Sequence, residues 1–458
     1  MKRRLLAALL CLVPLAAGAA SKVHERTLDN GLKILVKPNH RAPILTSQVW
    51  YKIGSSYEYG GITGVSHVLE HMMFKGTESL EPGEFSRIVA ENGGEENAFT
   101  GRDFTAYYQN LAKDRLEVSF KLEADRMRHL ALQEAEFLKE LEVVKEERRM
   151  RTDDDPQSLT YERFNAAAFD ASPYRNPVIG WASDLDQLKL ADLKDWYRLW
   201  YAPNNAILVV AGDVEPDAVF ALAEKYFGPL PAEEIRAPKT RSEPEQRGEK
   251  RLRVQAPAKE SYLLMGYKTP SVGDADEAWE PYALEILSSI LDGGDSSRFA
   301  RDLIRGKKIA ASAGAGYSVF QRLPGLFLFE AVPAKGHNVE DVEQAIRAEI
   351  ARVQSEPVSQ DELERVRNQV VAAKVYEKDS LFYQAMILGR LETIGLDWEL
   401  SETYVDALAA VTPEQIQAVA QKYLRPERLT VAVLDPQPID QEQQVSARSG
   451  MGEQANAL

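Results

Sequence analysis

The chain has 458 residues, of which 44% are hydrophobic, 27% charged and 9% aromatic. At ~150 residues per domain that length implies two or three folding units, and the composition excludes a disordered or collagen-like chain. Seventy acidic against fifty-five basic side chains leave a formal charge of -15, which repels phosphate backbones and argues against nucleic acid as a partner.

Residues 1–20 read as a targeting segment. Met1, Lys2, Arg3 and Arg4 form a basic start, Leu5 to Leu15 an apolar run, and Ala17-Gly18-Ala19 an A-x-A cleavage site. The run is short for a bilayer and polar sequence follows it, so the expectation is a cleaved signal peptide and a periplasmic or secreted mature protein that starts near Ala20 or Ser21. Cys11 is the single cysteine and falls inside this segment. The mature chain then has no thiol, which removes cysteine nucleophiles, disulfides and thiolate metal sites. No later stretch reaches about eighteen apolar residues, so stable membrane insertion is not expected.

Alternating or β-branched runs predict strands over Leu32–Val36 and Thr46–Ile53, and a buried strand over Ala206–Val210. Helical patterns cover Gly64–Phe74 and Glu134–Arg151. A repeat organises the whole. Tyr201 to Asp213 (YAPNNAILVVAGD) and Tyr423 to Asp435 (YLRPERLTVAVLD) each follow a helix-like segment and end a β-rich run, at an offset of 222. A duplication at that distance predicts two homologous α/β-sandwich domains of the α+β class, over 21–230 and 253–436. Between them 231–252 has the prolines and charges of an exposed linker, and 437–458 reads as a polar disordered tail.

The chemistry concentrates in His67-Val68-Leu69-Glu70-His71. On a helix His67 and His71 are i and i+4, so both imidazoles leave one face a turn apart, where two nitrogens can hold one zinc. Glu70 lies close enough to that face to reach a metal-bound water, as a general base would. A catalytic zinc needs a third protein ligand and leaves a fourth position to water. The segment KELEVVKEERRM offers Glu140, Glu142, Glu146 and Glu147. Periodicity only sorts these into two faces, Glu140 with Glu147 and Glu142 with Glu146.

This H-x-x-E-H arrangement is that of the inverzincins. HVLEHMMFKGT, with GSSYEYGGITGVS before it and GGEENAFTGRDFTAYY and EVVKEERRM after it, resembles the pitrilysin or insulinase family of zinc peptidases. The likeness extends to its short bacterial members and to the mitochondrial processing peptidase subunits. It implies a pair of related domains forming half of a clamshell, with one Zn2+ per chain and a peptide substrate enclosed in a chamber. It also implies that Glu147 is the third metal ligand and Glu140 an auxiliary acidic residue. The strand at Asn97, Ala98 and Phe99 is then the edge onto which the substrate adds by backbone pairing. Tyr107, Arg102 and Asp103, close by, read as structural.

At the 222-residue offset Ser289, Asp292 and Gly293 stand opposite His67, Glu70 and His71, so a second zinc site is not expected. Family members with a complete site use an arginine and, seven residues on, a tyrosine from the non-zinc side. The matching positions here are Ile304 and Ala311, while Arg301, Arg305 and Tyr317 have the wrong spacing. The resemblance therefore implies a heterodimer with a zinc-less relative that supplies the Arg/Tyr pair, with a homodimer as the other arrangement. The reading is a secreted zinc endopeptidase with Glu70 as general base. A non-catalytic peptide-binding or scaffolding subunit is the alternative.

Overall fold

The computed structural model describes residues 22–236, 239 and 241–439. The expected targeting segment, with Cys11, and most of the expected tail (440–458) lie outside the described residues. The expected strands appear as β2 (Lys33–Pro38), β3 (Ile44–Tyr51) and β6 (Ala206–Gly212). With β1 (His24–Thr27), β4 (Glu95–Thr100) and β5 (Thr105–Ala112) they form one sheet, ordered β1-β2-β6-β3-β5-β4. A second sheet, ordered β7-β11-β8-β10-β9, contains β7 (Lys250–Pro257), β8 (Tyr262–Thr269), β9 (Ala310–Gly316), β10 (Gly325–Pro333) and β11 (Leu429–Gln437). Helices cover both sheets, giving two α+β halves.

With β1 set aside, the two sheets have one topology. The pairs β2/β6 and β7/β11 are parallel and all the others antiparallel. The offset read from the sequence is one residue short, however. The repeated helix spans Leu190–Trp200 in one half and Pro413–Tyr423 in the other, a spacing of 223. Buried Leu193, Trp196, Tyr197 and Trp200 then coincide with buried Ile416, Val419, Ala420 and Tyr423. Matching the two tyrosines by identity set buried Leu193, Trp196 and Trp200 against Gln415, Ala418 and Lys422, none of them buried, and in the strands that follow a one-residue slip would turn every side chain to the wrong side. After β8, the helix Glu280–Asp292 takes the place that the motif helix takes after β3. The positions set opposite the motif fall at its very end, with Gly293 already beyond it. Its sequence, EPYALEILSSILD, has no histidine in any register.

The linker is less free than its composition predicts. Glu243 accepts the backbone N–H groups of Asp170, Ala171 and Ser172 at 2.9, 2.8 and 2.7 Å and also binds Lys268, while buried Gln246 donates to the Leu429 carbonyl. β7 already starts at Lys250.

Each half borrows a helix from the other. The main core of the first half lies between its sheet and its own helices, including Val65, Leu69, Phe120 and Val144. The opposite face of that sheet presents Trp50, Ile207 and Val209, and is covered by Ala385 and Leu388 of the helix Leu381–Thr393 from the second half. In return the helix Pro156–Ala168 lays Phe164 and Ala168 over Leu264, Ala432 and Leu434 of the second sheet. This explains why β6 is buried at every residue and reads as an unbroken apolar run.

Close approach fixes one of these contacts. A Cβ at Gly389 would lie 2.3 Å from the Trp50 indole nitrogen, whose N–H donates to Gln48 Oε1 at 3.0 Å. Gly389→Ala is expected to cost roughly 1–3 kcal/mol by overpacking. An unchanged thermal unfolding midpoint in that variant would show that the helix sits farther from the sheet than described.

Candidate metal centre

The motif helix spans Val65–Met72 and is held by its buried side, where Val65, Val68, Leu69 and Met72 enter the core. Its start depends on residues outside it. Gly64 has φ +89°, and a Cβ there would lie 2.6 Å from the Ile179 carbonyl oxygen, so only glycine fits the turn. Buried Glu58 supplies the cap by accepting the N–H groups of Gly64 (2.7 Å) and Ser66 (2.9 Å). Burial pushes the Glu58 carboxyl up to about 7, although the two amides pull it the other way. Asp184 pins the preceding turn by accepting from Gly61 N, Thr63 N and the Thr63 hydroxyl.

A second helix, Glu134–Arg148, passes into a π turn over Arg149–Asp153, so the helix expected to Arg151 changes its winding three residues early. Arg148 fixes this end, with two bonds to the buried Glu162 carboxylate at 2.7 and 3.0 Å and one to the Gly180 carbonyl.

Across the gap between these helices, Glu147 Oε2 lies 3.8 Å from His67 Nε2 and 3.5 Å from His71 Nε2. A tetrahedral ion with bonds of ~2.1 Å would have its ligands roughly 3.4 Å apart, so these three atoms fit the corners around one zinc. They are also the group of His, Asp and Glu side chains that could hold a metal among the described residues. His67 Nδ1 is buried with no hydrogen-bond partner, and burial, with His71 and Arg151 adding to it, depresses that imidazole to about 3. The ring is therefore neutral at physiological pH, the form that binds a metal.

The other acidic candidates separate by position. Glu140 Oε2 lies 3.3 Å from His71 Nδ1, on the far side of the ring from Glu147, and its other oxygen meets Lys75 at 2.7 Å. A carboxylate there fixes the tautomer that turns Nε2 towards the gap. Glu142 pairs with Lys145 and Glu146 with Arg149, both away from the histidines. Arg151 Nη1 holds the second oxygen of Glu147 at 2.6 Å. Glu70 is not among the clustered ligand atoms: its Oε2 accepts the Thr100 hydroxyl, and burial raises its pKa while that bond draws it back.

These three side chains line a cavity of about 1240 Å³. Asn97, Ala98, Phe99 and Thr100 form part of its wall, and β4 is the outer strand of its sheet. Asn97 is exposed, whereas the Phe99 ring packs edge-on against Trp50 at 5.3 Å. The second half contributes Tyr262, which donates to Glu330 at 2.6 Å. Asp103 is buried and accepts from Ser56, Tyr174 and Arg322, and the Tyr107 hydroxyl meets that of Tyr201 at 2.9 Å, both structural arrangements. Arg102 also lines the cavity. Ile304 packs on the second core, Ala311 lies in β9, Arg305 donates to the Asp295 carbonyl and Tyr317 to that of Pro270. Thr100, Arg151, Tyr262 and Glu330 were not singled out from the sequence. Only Thr100 had a signal there, since strand alternation puts it on the same face as Ala98.

Comparison with known proteins agrees with this geometry. The family described as "Insulinase (Peptidase family M16)" matches residues 33–181, and "Peptidase M16 inactive domain" matches 187–370. The zinc protease PqqE of Helicobacter pylori is 35% identical over 349 residues, covering 75% of this chain and 78% of that protein. A crystal structure of a protease from Helicobacter pylori superposes with a TM-score of 0.86 at 31% identity, over 91% of this chain and all of that one. The periplasmic protease PqqL of Escherichia coli shares the fold at a TM-score of 0.77 and 18% identity, over 93% of this chain and 49% of its own. From the relative matched over three-quarters of both chains, and the fold it shares with solved M16 structures, the chain belongs to the insulinase family of peptidases, family M16.

Proposed function

We propose that this metallopeptidase is an exported zinc endopeptidase that binds one Zn2+ per chain through His67, His71 and Glu147 and cuts peptides admitted to the adjoining cavity. The observation that carries the proposal is the meeting of two imidazole nitrogens and one carboxylate oxygen, at spacings that suit zinc, in the wall of that cavity. Three protein ligands leave a fourth position open, as in catalytic and not structural sites. When bound, zinc would supply Lewis acidity, polarising the scissile carbonyl and making water more acidic.

The chain's own groups do the rest. Glu70, with Oε2 engaged by Thr100, has Oε1 to take a proton from the attacking water and return it to the leaving amine. The open edge of β4 at Asn97, Ala98 and Phe99 would align an extended peptide through backbone hydrogen bonds, which tolerates many side chains. Glu140 would orient His71.

The Arg/Tyr pair is not provided by Ile304 and Ala311, neither of which lines the cavity. A second, zinc-less chain of similar size carrying that pair would close the chamber, or else a second copy of this one. Export rests on the basic and apolar start of the sequence and its A-x-A site. No helix among the described residues is long and apolar enough to cross a membrane.

The test is zinc content and hydrolysis of a quenched fluorescent peptide, measured for the mature chain alone and after mixing with a zinc-less relative. One zinc per chain and a rate that rises on mixing are expected. Full activity in a homogeneous homodimer, unchanged by any partner, would remove the heterodimer. A chain that binds peptide but no zinc, with no hydrolysis in either arm, would be the scaffolding subunit instead.

A further inference from the structure

Glu70 would have to present one oxygen to a water, yet nothing in its own helix fixes its carboxylate. It has three rotatable side-chain bonds, and the helix faces that carry His67 and His71 do not constrain them. Among the described residues its one side-chain hydrogen bond comes from the Thr100 hydroxyl, at the last position of β4. Oε1 accepts no hydrogen bond among the described residues.

Thr100 is itself held on three sides. Its backbone pairs with Thr105 of β5. The turn that follows is tied down because Ser55 N donates to the Gly101 carbonyl and Ser56 N to that of Arg102. Asp103 then anchors the turn to the second half of the chain through Arg322, at 3.2 Å. The hydroxyl therefore sits on a fixed support. From the same strand, Asn97 and Phe99 face one side of the sheet and Ala98 and Thr100 the other, where the motif helix lies.

From this we infer that Thr100 is a positioning residue for Glu70: it ties Oε2 so that Oε1 faces the cavity, and the strand that would align the peptide also aligns the base. The inference rests on Glu70 acting as the base. Holding an acid–base group in its reactive orientation removes rotational freedom before the reaction starts, so the hydroxyl should matter in kcat and little in binding.

Thr100→Val keeps the shape and branching of the side chain and removes only the hydroxyl. A hydrogen bond to a charged group accounts for about a 10- to 100-fold change in rate, and kcat should fall by that much. KM, zinc content by mass spectrometry and the thermal unfolding midpoint should stay near wild type. Thr100→Ser, which restores the donor without the methyl group, should recover kcat to within about threefold. An unchanged kcat in Thr100→Val would overturn the inference. So would a loss that Thr100→Ser does not rescue, or one that appears in KM or zinc content, since each would mark a role in the strand and not at the base. Glu70→Gln, assayed in parallel, separates this from the underlying reading. If that variant stays active, Glu70 is not the base, whatever Thr100 does.

Discussion

Glu70→Gln should keep its zinc and lose peptide hydrolysis by roughly 10²- to 10⁴-fold, the range that general acid–base groups contribute. The structure gives reasons for both halves of that result. Glu70 is not one of the three clustered ligand atoms, so an amide there leaves the metal's donors intact. The amide oxygen can still accept from Thr100, so the local packing need not change. What disappears is a group able to carry the proton. Zinc content and steady-state rates on the same preparation check both parts. Should Glu70→Gln lose its zinc while Glu147→Gln keeps it, the roles of the two carboxylates would be exchanged.

Removal of either histidine is expected to have the second large effect, this time on the metal. With His67→Ala or His71→Ala, one imidazole and Glu147 remain, and two donors rarely retain the ion. Loss of an outer partner of a metal ligand already costs roughly 10- to 100-fold in metal affinity, which is the range expected for Glu140→Gln through His71. Loss of a direct ligand should exceed it. Competition with a chromophoric zinc chelator would rank the variants, with both alanine variants weakest, Glu140→Gln intermediate and wild type tightest. Normal zinc binding in either alanine variant would remove the proposed site.

The paired histidines were legible because their geometry is local: a spacing of four on a helix brings His67 and His71 to one face without help from the rest of the chain. Glu147 was not legible in that way. Periodicity grouped it with Glu140, and which of the two meets the imidazole Nε2 atoms depends on how the helix Glu134–Arg148 crosses the motif helix, a tertiary property that only the family resemblance could supply. The duplication was visible, but its register was misread by one residue. Matching tyrosines outweighed the burial pattern of Leu193 and Ile416, which no sequence displays directly. Strand alternation placed Thr100 on a face, but its pairing with Glu70 stayed hidden for a similar reason, since the two lie thirty residues apart on different elements. The linker also misled, because Glu243 looks solvated in sequence and finds its four donors only once both halves are in place.

The exchange of helices between the halves bears on how the protein can be made. As the chain is synthesised, the first sheet is complete once β6 has emerged, yet Trp50, Ile207 and Val209 stay bare until the helix Leu381–Thr393 arrives. Closing a contact over so long a loop is slow, and until it closes the nascent first half carries an apolar sheet face that can bind other chains. A gene divided at the linker would not release two self-sufficient domains. Each fragment would lack the layer that the other holds, and the two should regain structure only by meeting, as complementing fragments do.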